Sequence, residues 1–151
     1  MGSEPMQVIS VDELVENFEF LDDWEDRYRY IIDLGRKLPE FDEADKNEQN
    51  RIQGCTSQAW LIAEVSADPK PVLSFRADSD AHIVRGLLSV LLSIYSGQTA
   101  EDILAVDIKD VLRRLDFEAQ ISPNRANGFY SAVERIRNLA RLNAGARTEA
   151  G

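Results

Sequence analysis

The chain has 151 residues, 44% hydrophobic and 29% charged, with 17 Lys and Arg against 27 Asp and Glu for a net charge of -10. That length and composition fit one globular domain that buries about 70% of its unfolded surface and needs no disulfide or metal to fold. The acidic balance argues against nucleic acid and anionic membrane surfaces as partners, no apolar stretch approaches a bilayer span, and one cysteine excludes an internal disulfide.

Residues 1–9 carry no basic region followed by an apolar one, so they read as a disordered N-terminus, with the cytoplasm as the expected address. Ser10 followed by Glu13 forms a capping-box pattern and predicts a short helix through about Phe18. Asp23 is positioned to cap a second helix, in which Trp24, Tyr28, Ile31, Leu34 and Leu38 recur at spacings of three and four until Pro39. The following EFDEADKNEQN has no apolar period and reads as a polar surface loop.

AWLIAEV (59–65) and VLSFRA, separated by the turn residues DPKP, predict two antiparallel strands. Ile52 and Gln53 could end another strand, which would leave Gly54 and Cys55 at a loop tip. Helical periodicity returns in DSDAHIVRGLLSVLLSIYSG, with Asp80 as the expected N-cap and Gly97 as the stop. Breadth of apolar character makes this the central helix, and Trp60 and Tyr95 are expected in the core rather than as a ligand-binding pair. Thr99 with Asp102, then Asp107, then Ser122–Pro123 mark three more helix starts. The last helix should pack through Phe129, Val133, Ile136 and Leu139, with Arg125, Arg135, Arg137, Arg141 and Arg147 on a solvated face. The predicted architecture is α+β, a small antiparallel sheet flanked by helices, in a single domain over 10–143 with a disordered tail at 144–151.

The chemistry narrows to Cys55. Cys55 and His82 are the only soft metal ligands, so no four-ligand zinc site can be written, and no phosphate-binding loop, dinucleotide fingerprint or nucleophile elbow is present. A lone cysteine can be a small buried hydrophobe, yet core cysteines usually sit in apolar runs. Here Gly54 permits a sharp bend, and Thr56, Ser57 and Gln58 surround the thiol with polar groups. At its ordinary pKa a thiol is only about 3% thiolate at pH 7, so a nucleophilic role needs nearby donors or positive charge. A Cys55–His82 dyad, as in a self-contained thiol hydrolase or transferase, is the alternative; against it, a helix N-terminus disfavours protonated histidine.

Four strings, LGRKLPEF (34–41), NRIQGCTSQAWL (50–61), DSDAHIVRGLLSVL (78–91) and SPNRANG (122–128), occur in an order that resembles the SufE family of sulfur acceptor proteins. The resemblance implies a fold like that of IscU-type (NifU-like) iron-sulfur scaffolds, with the cysteine on a loop beside an apolar cavity. It implies that Cys55 accepts persulfide sulfur from a cysteine desulfurase of the SufS or CsdA type, stimulates that enzyme, and passes the sulfur to a downstream iron-sulfur scaffold. Pyridoxal phosphate would belong to the desulfurase, leaving this chain a non-enzymatic accessory without a cofactor. The resemblance also assigns Gln53, Gly54, Ser57 and Gln58 to the interface loop, Asp80 to control of that loop, and Arg125 to the transfer surface. Read from the residues alone, Asp80 is equally a helix cap and Arg125 a solvent-facing side chain.

Overall fold

Capping side chains start the helices where the sequence places them. In the computed structural model, which describes residues 10–53, 57–117 and 122–150, Ser10 accepts the Glu13 amide at 3.1 Å and opens α1 (Val11–Phe20). Asp23 accepts the Glu25 amide at 2.9 Å and opens α2 (Trp24–Arg36). From α2, Arg27 Nε donates to the carbonyls of Phe18 (3.0 Å) and Leu21 (2.9 Å), satisfying the end of α1. Ile31 and Leu34 are buried on α2 as expected; Tyr28 is exposed, and Leu38 is buried only beyond the helix end. The EFDEADKNEQN segment is not wholly a surface loop. It forms two single 3-10 turns, Glu43–Asp45 and Glu48–Asn50, and buries Phe41.

The sheet is small and antiparallel. β1 (Ala59–Val65) pairs with β2 (Val72–Ser79) from Val65↔Leu73 to Ala59↔Ser79. Alternation along β2 sends Leu73, Phe75, Ala77 and Ser79 inward. A two-residue strand, β3 (Gln98–Thr99), joins the far side of β2; its brevity left no period in the sequence. The expected strand end at Ile52 and Gln53 is less than a strand: Arg51 bridges Trp60, and the Ile52 amide donates to the Ala59 carbonyl at 2.8 Å.

The central helix α3 (His82–Tyr95) packs against the sheet and against α2. The two helices meet backbone to backbone. A Cβ added at Gly86 would lie 2.2 Å from the Ile31 carbonyl oxygen, and one at Gly35 would lie 2.6 Å from the Gly86 nitrogen. Gly97, with φ +79°, then turns the chain after α3. Thr99 caps α4 (Ala100–Ala105) through the expected Asp102 amide and Asp107 caps α5 (Ile108–Arg114) through the Asp110 amide, each at 3.2 Å.

The last helix, α6 (Pro123–Ala150), buries Phe129, Val133 and Ile136 and half-buries Leu139. Its arginines do not share one solvated face. Arg135 and Arg137 turn inward to main-chain carbonyls, because bare carbonyls beside the helix offer a charged donor better satisfaction than an apolar wall. Helix α6 is continuous to Ala150. Among the described residues, no helix is long and apolar enough to cross a membrane.

Two consequences are measurable. Gly86→Ala should lower stability by about 2 kcal/mol or more in urea denaturation, since overpacking against main chain outweighs the ~1 kcal/mol gain in helix propensity. Tyr95 is fully buried at the end of α3, its hydroxyl has no hydrogen-bond partner among the described residues, and burial pushes its pKa up to about 12. A raised folded pKa means this stability is complete below the unfolded value of 10.0 and is lost as pH climbs through about 12. Tyr95→Phe should therefore cost no stability at neutral pH and should flatten the alkaline arm of the stability curve.

Candidate functional site

The cysteine-bearing segment is a hairpin built onto the edge of the sheet. Residues 51–52 and 59–60 form its stem, with Gln53 and Ser57 the nearest described residues on either side of Cys55. Gly54, Cys55 and Thr56 lie outside the described residues. Alternation along the stem divides its neighbours: Ile52 faces an apolar cavity, whereas Arg51 and Gln53 border a surface groove of about 430 Å³ beside α6.

The downstream arm is held by the motif DSD. In the β1–β2 register, the residues after Ala59↔Ser79 are Gln58 and Asp80, so these two stand opposite one another. The Asp80 amide donates to the Gln58 carbonyl at 3.1 Å, as in a ladder, while the Gln58 amide donates to the Asp80 carboxylate at 3.2 Å in place of a main-chain acceptor. Asp80 is therefore not the N-cap of α3. Ala81 occupies that position without a side-chain cap, because the carboxylate is committed across the strand pair. Ser79 adds a second tie, its hydroxyl donating to the Gln58 carbonyl at 2.7 Å and accepting from the Ala81 amide at 3.2 Å.

Asp78 secures the motif from behind. Its Oδ2 is 3.4 Å from Lys46 Nζ, and its Oδ1 accepts the Ser79 amide at 2.8 Å and lies 3.1 Å from Arg85 Nε. Lys46 also donates to Glu43 at 2.9 Å and sits 5.5 Å from the Trp60 ring centre. The Glu43 hydrogen bond, with Asp78 assisting and desolvation opposing, raises the Lys46 pKa above its ordinary value of 10.5.

The cavity encloses about 140 Å³ and is walled by Ile52, Ser57 and Ala59 from the hairpin, Leu87, Leu88 and Leu91 from α3, and Phe129 and Ala132 from α6. Ile83 and Val84 in the first turn of α3, and Arg125 near the start of α6, also reach it, so two helix N-termini border an otherwise apolar space. The positive ends of two helices favour an anion there. Arg125 is exposed, and its guanidinium carbon lies 6.0 Å from the Tyr28 ring centre. His82 is exposed at the first position of α3 and is not among the cavity walls.

Residues 12–140 match the SufE family, described as an Fe-S metabolism associated domain. The chain belongs to this family. It is 45% identical over 144 residues to an uncharacterized SufE-like protein of Rhizobium etli, covering 95% of this chain and 97% of that one. A second uncharacterized SufE-like protein, from Rhizobium meliloti, is 44% identical over 132 residues, covering 87% and 94%. The solution structure of a hypothetical protein from Thermus thermophilus superposes with a TM-score of 0.70 at 20% identity, over 87% of this chain and 93% of that one, which shows a shared fold.

Of the residues singled out in this SufE-family sequence, the structure brings Ser57 and Arg125 to one cavity, pairs Gln58 with Asp80, and leaves His82 outside the cavity. Sequence reasoning missed Ser79 and assigned Arg135 to a solvated face. Ser79 had a legible signal, since it occupies an inward position in the alternation of β2 and is 6% exposed. Arg135 had none, because only the tertiary fold presents carbonyls to it. Asp80→Ala should release the Gln58 amide at a cost of about 1 kcal/mol, read as roughly fivefold faster hydrogen exchange at that amide while core amides of α3 are unchanged.

Proposed function

We propose that this SufE-family chain is a sulfur acceptor: Cys55 takes persulfide sulfur from a pyridoxal-phosphate-dependent cysteine desulfurase, stimulates its turnover, and delivers the sulfur to an iron-sulfur scaffold. The observation that carries the reading is a hairpin with both arms fixed by hydrogen bonds around the Cys55 segment, beside an apolar cavity bordered by two helix N-termini. Family membership supports the link to Fe-S metabolism.

In the transfer, the Cys55 thiolate attacks the outer sulfur of the partner's persulfide. A new S–S bond forms to Cys55 as the partner's internal S–S bond breaks, and the partner cysteine leaves as thiolate. Disulfide-type exchange of this kind conserves electrons overall, and its rate follows thiolate fraction, nucleophilicity and access. Helix N-termini and Arg125, which lines the same cavity as Ser57, favour the anionic forms of thiol and persulfide. The apolar walls exclude water and other thiols, and the absence of a second cysteine removes an internal route to disulfide and lost sulfide. Gln53, Gly54, Ser57 and Gln58 would meet the desulfurase, with Asp80 limiting the excursion of the loop and Arg125 on the same surface. Such chemistry needs a compartment that keeps thiols reduced, which supports the cytoplasm.

Incubation with a cysteine desulfurase and sulfur-labelled cysteine should add one sulfur to the peptide containing Cys55. Cys55→Ser should abolish that label, and His82→Ala should retain it. Label persisting in Cys55→Ser would overturn the assignment, label lost only in His82→Ala would favour the thiol-enzyme dyad, and full stimulation by Cys55→Ala would reduce the protein to an allosteric activator.

A further inference from the structure

Arg135 stands where the stem of the cysteine hairpin stops pairing. Beyond Arg51↔Trp60 the same antiparallel register would bring Asn50 opposite Leu61, but the chain leaves the sheet there through the turn Glu48–Asn50. The guanidinium fills the gap: Nε donates to the Leu61 carbonyl and Nη2 to the Gln49 carbonyl, each at 3.2 Å. One acceptor lies on each arm of the hairpin. Among the described residues Arg135 has no carboxylate within ion-pair distance, so these two carbonyls fix its position. A planar fork can span two acceptors that the single ammonium of lysine cannot hold together in this geometry.

We propose that Arg135 is a positioning residue for the cysteine-bearing segment: by tying Gln49 to Leu61 it braces the stem that carries Cys55. The consequence for sulfur transfer rests on the function proposed above; the consequence for thiol access does not. Arg137 supplies a control on the same helix, since its Nη1 donates to the Leu104 carbonyl of α4 at 3.3 Å, away from the hairpin.

The test is the alkylation rate of Cys55 by a small reagent, without partner, across a series of low urea concentrations. Arg135→Lys and Arg135→Gln should accelerate it about fivefold or more, the effect of losing a charge-assisted hydrogen bond from the braced stem. That acceleration should be independent of urea, as local opening is, and Arg137→Lys should leave the rate unchanged. An unchanged rate in both Arg135 variants overturns the proposal. So does an acceleration that follows the urea dependence of global unfolding, or an equal one in Arg137→Lys. Faster alkylation in a protein that never accepts sulfur would sink the acceptor function and leave the brace standing.

Discussion

The pairing of Ala59 with Ser79 at the end of the β1–β2 ladder is the constraint from which the candidate site follows. With that pair set, Gln58 must face Asp80, and the last rung is completed by a carboxylate instead of a main-chain carbonyl. A one-residue slip would turn Leu73, Phe75 and Ala77 to the opposite face and remove the rung together with the core. Burial of β2 therefore fixes where the arm beyond Cys55 is attached. Asp78, gripped by Lys46 and Arg85, keeps the strand end from drifting.

A second constraint sets the far wall of the cavity. α2 and α3 touch through Gly35 and Gly86, closer than any side chain would allow, and this approach positions α3 with its apolar face toward the hairpin and α6. The start of α3 then reaches the cavity without a side-chain cap, because Asp80 serves the strand pair. Core packing and site electrostatics are linked through that one residue. A carboxylate at the positive helix end holds Gln58 instead of capping the helix.

The hairpin is fixed along its arms rather than buried throughout. Its stem hydrogen bonds to its own opposite arm, to β2 through Gln58, and to α6 through Arg135. Gln53 and Gln58 are exposed at the ends of this fixed region, and Ser57 is half-buried against the cavity. Such an arrangement ties the described residues on both sides of Cys55 to the sheet and to α6. The strongly acidic surface limits nonspecific association with polyanions.

Helix starts were legible in the sequence because capping is local: Ser10, Asp23, Thr99 and Asp107 each bond an amide two or three residues ahead. β1 and β2, the central helix, and the prominence of Cys55 were legible for similar reasons, through short-range period and polar context. Asp80 was misread as a cap because the competing donor, the Gln58 amide, is 22 residues away in sequence. Arg135 was misread as solvated because its partners lie 74 and 86 residues away. The sequence by itself thus determined the elements and singled out the cysteine, whereas only the tertiary structure decided which side chains hold the stem on either side of it, since register and helix crossing alone bring distant donors to its carbonyls and a distant carboxylate to its amide.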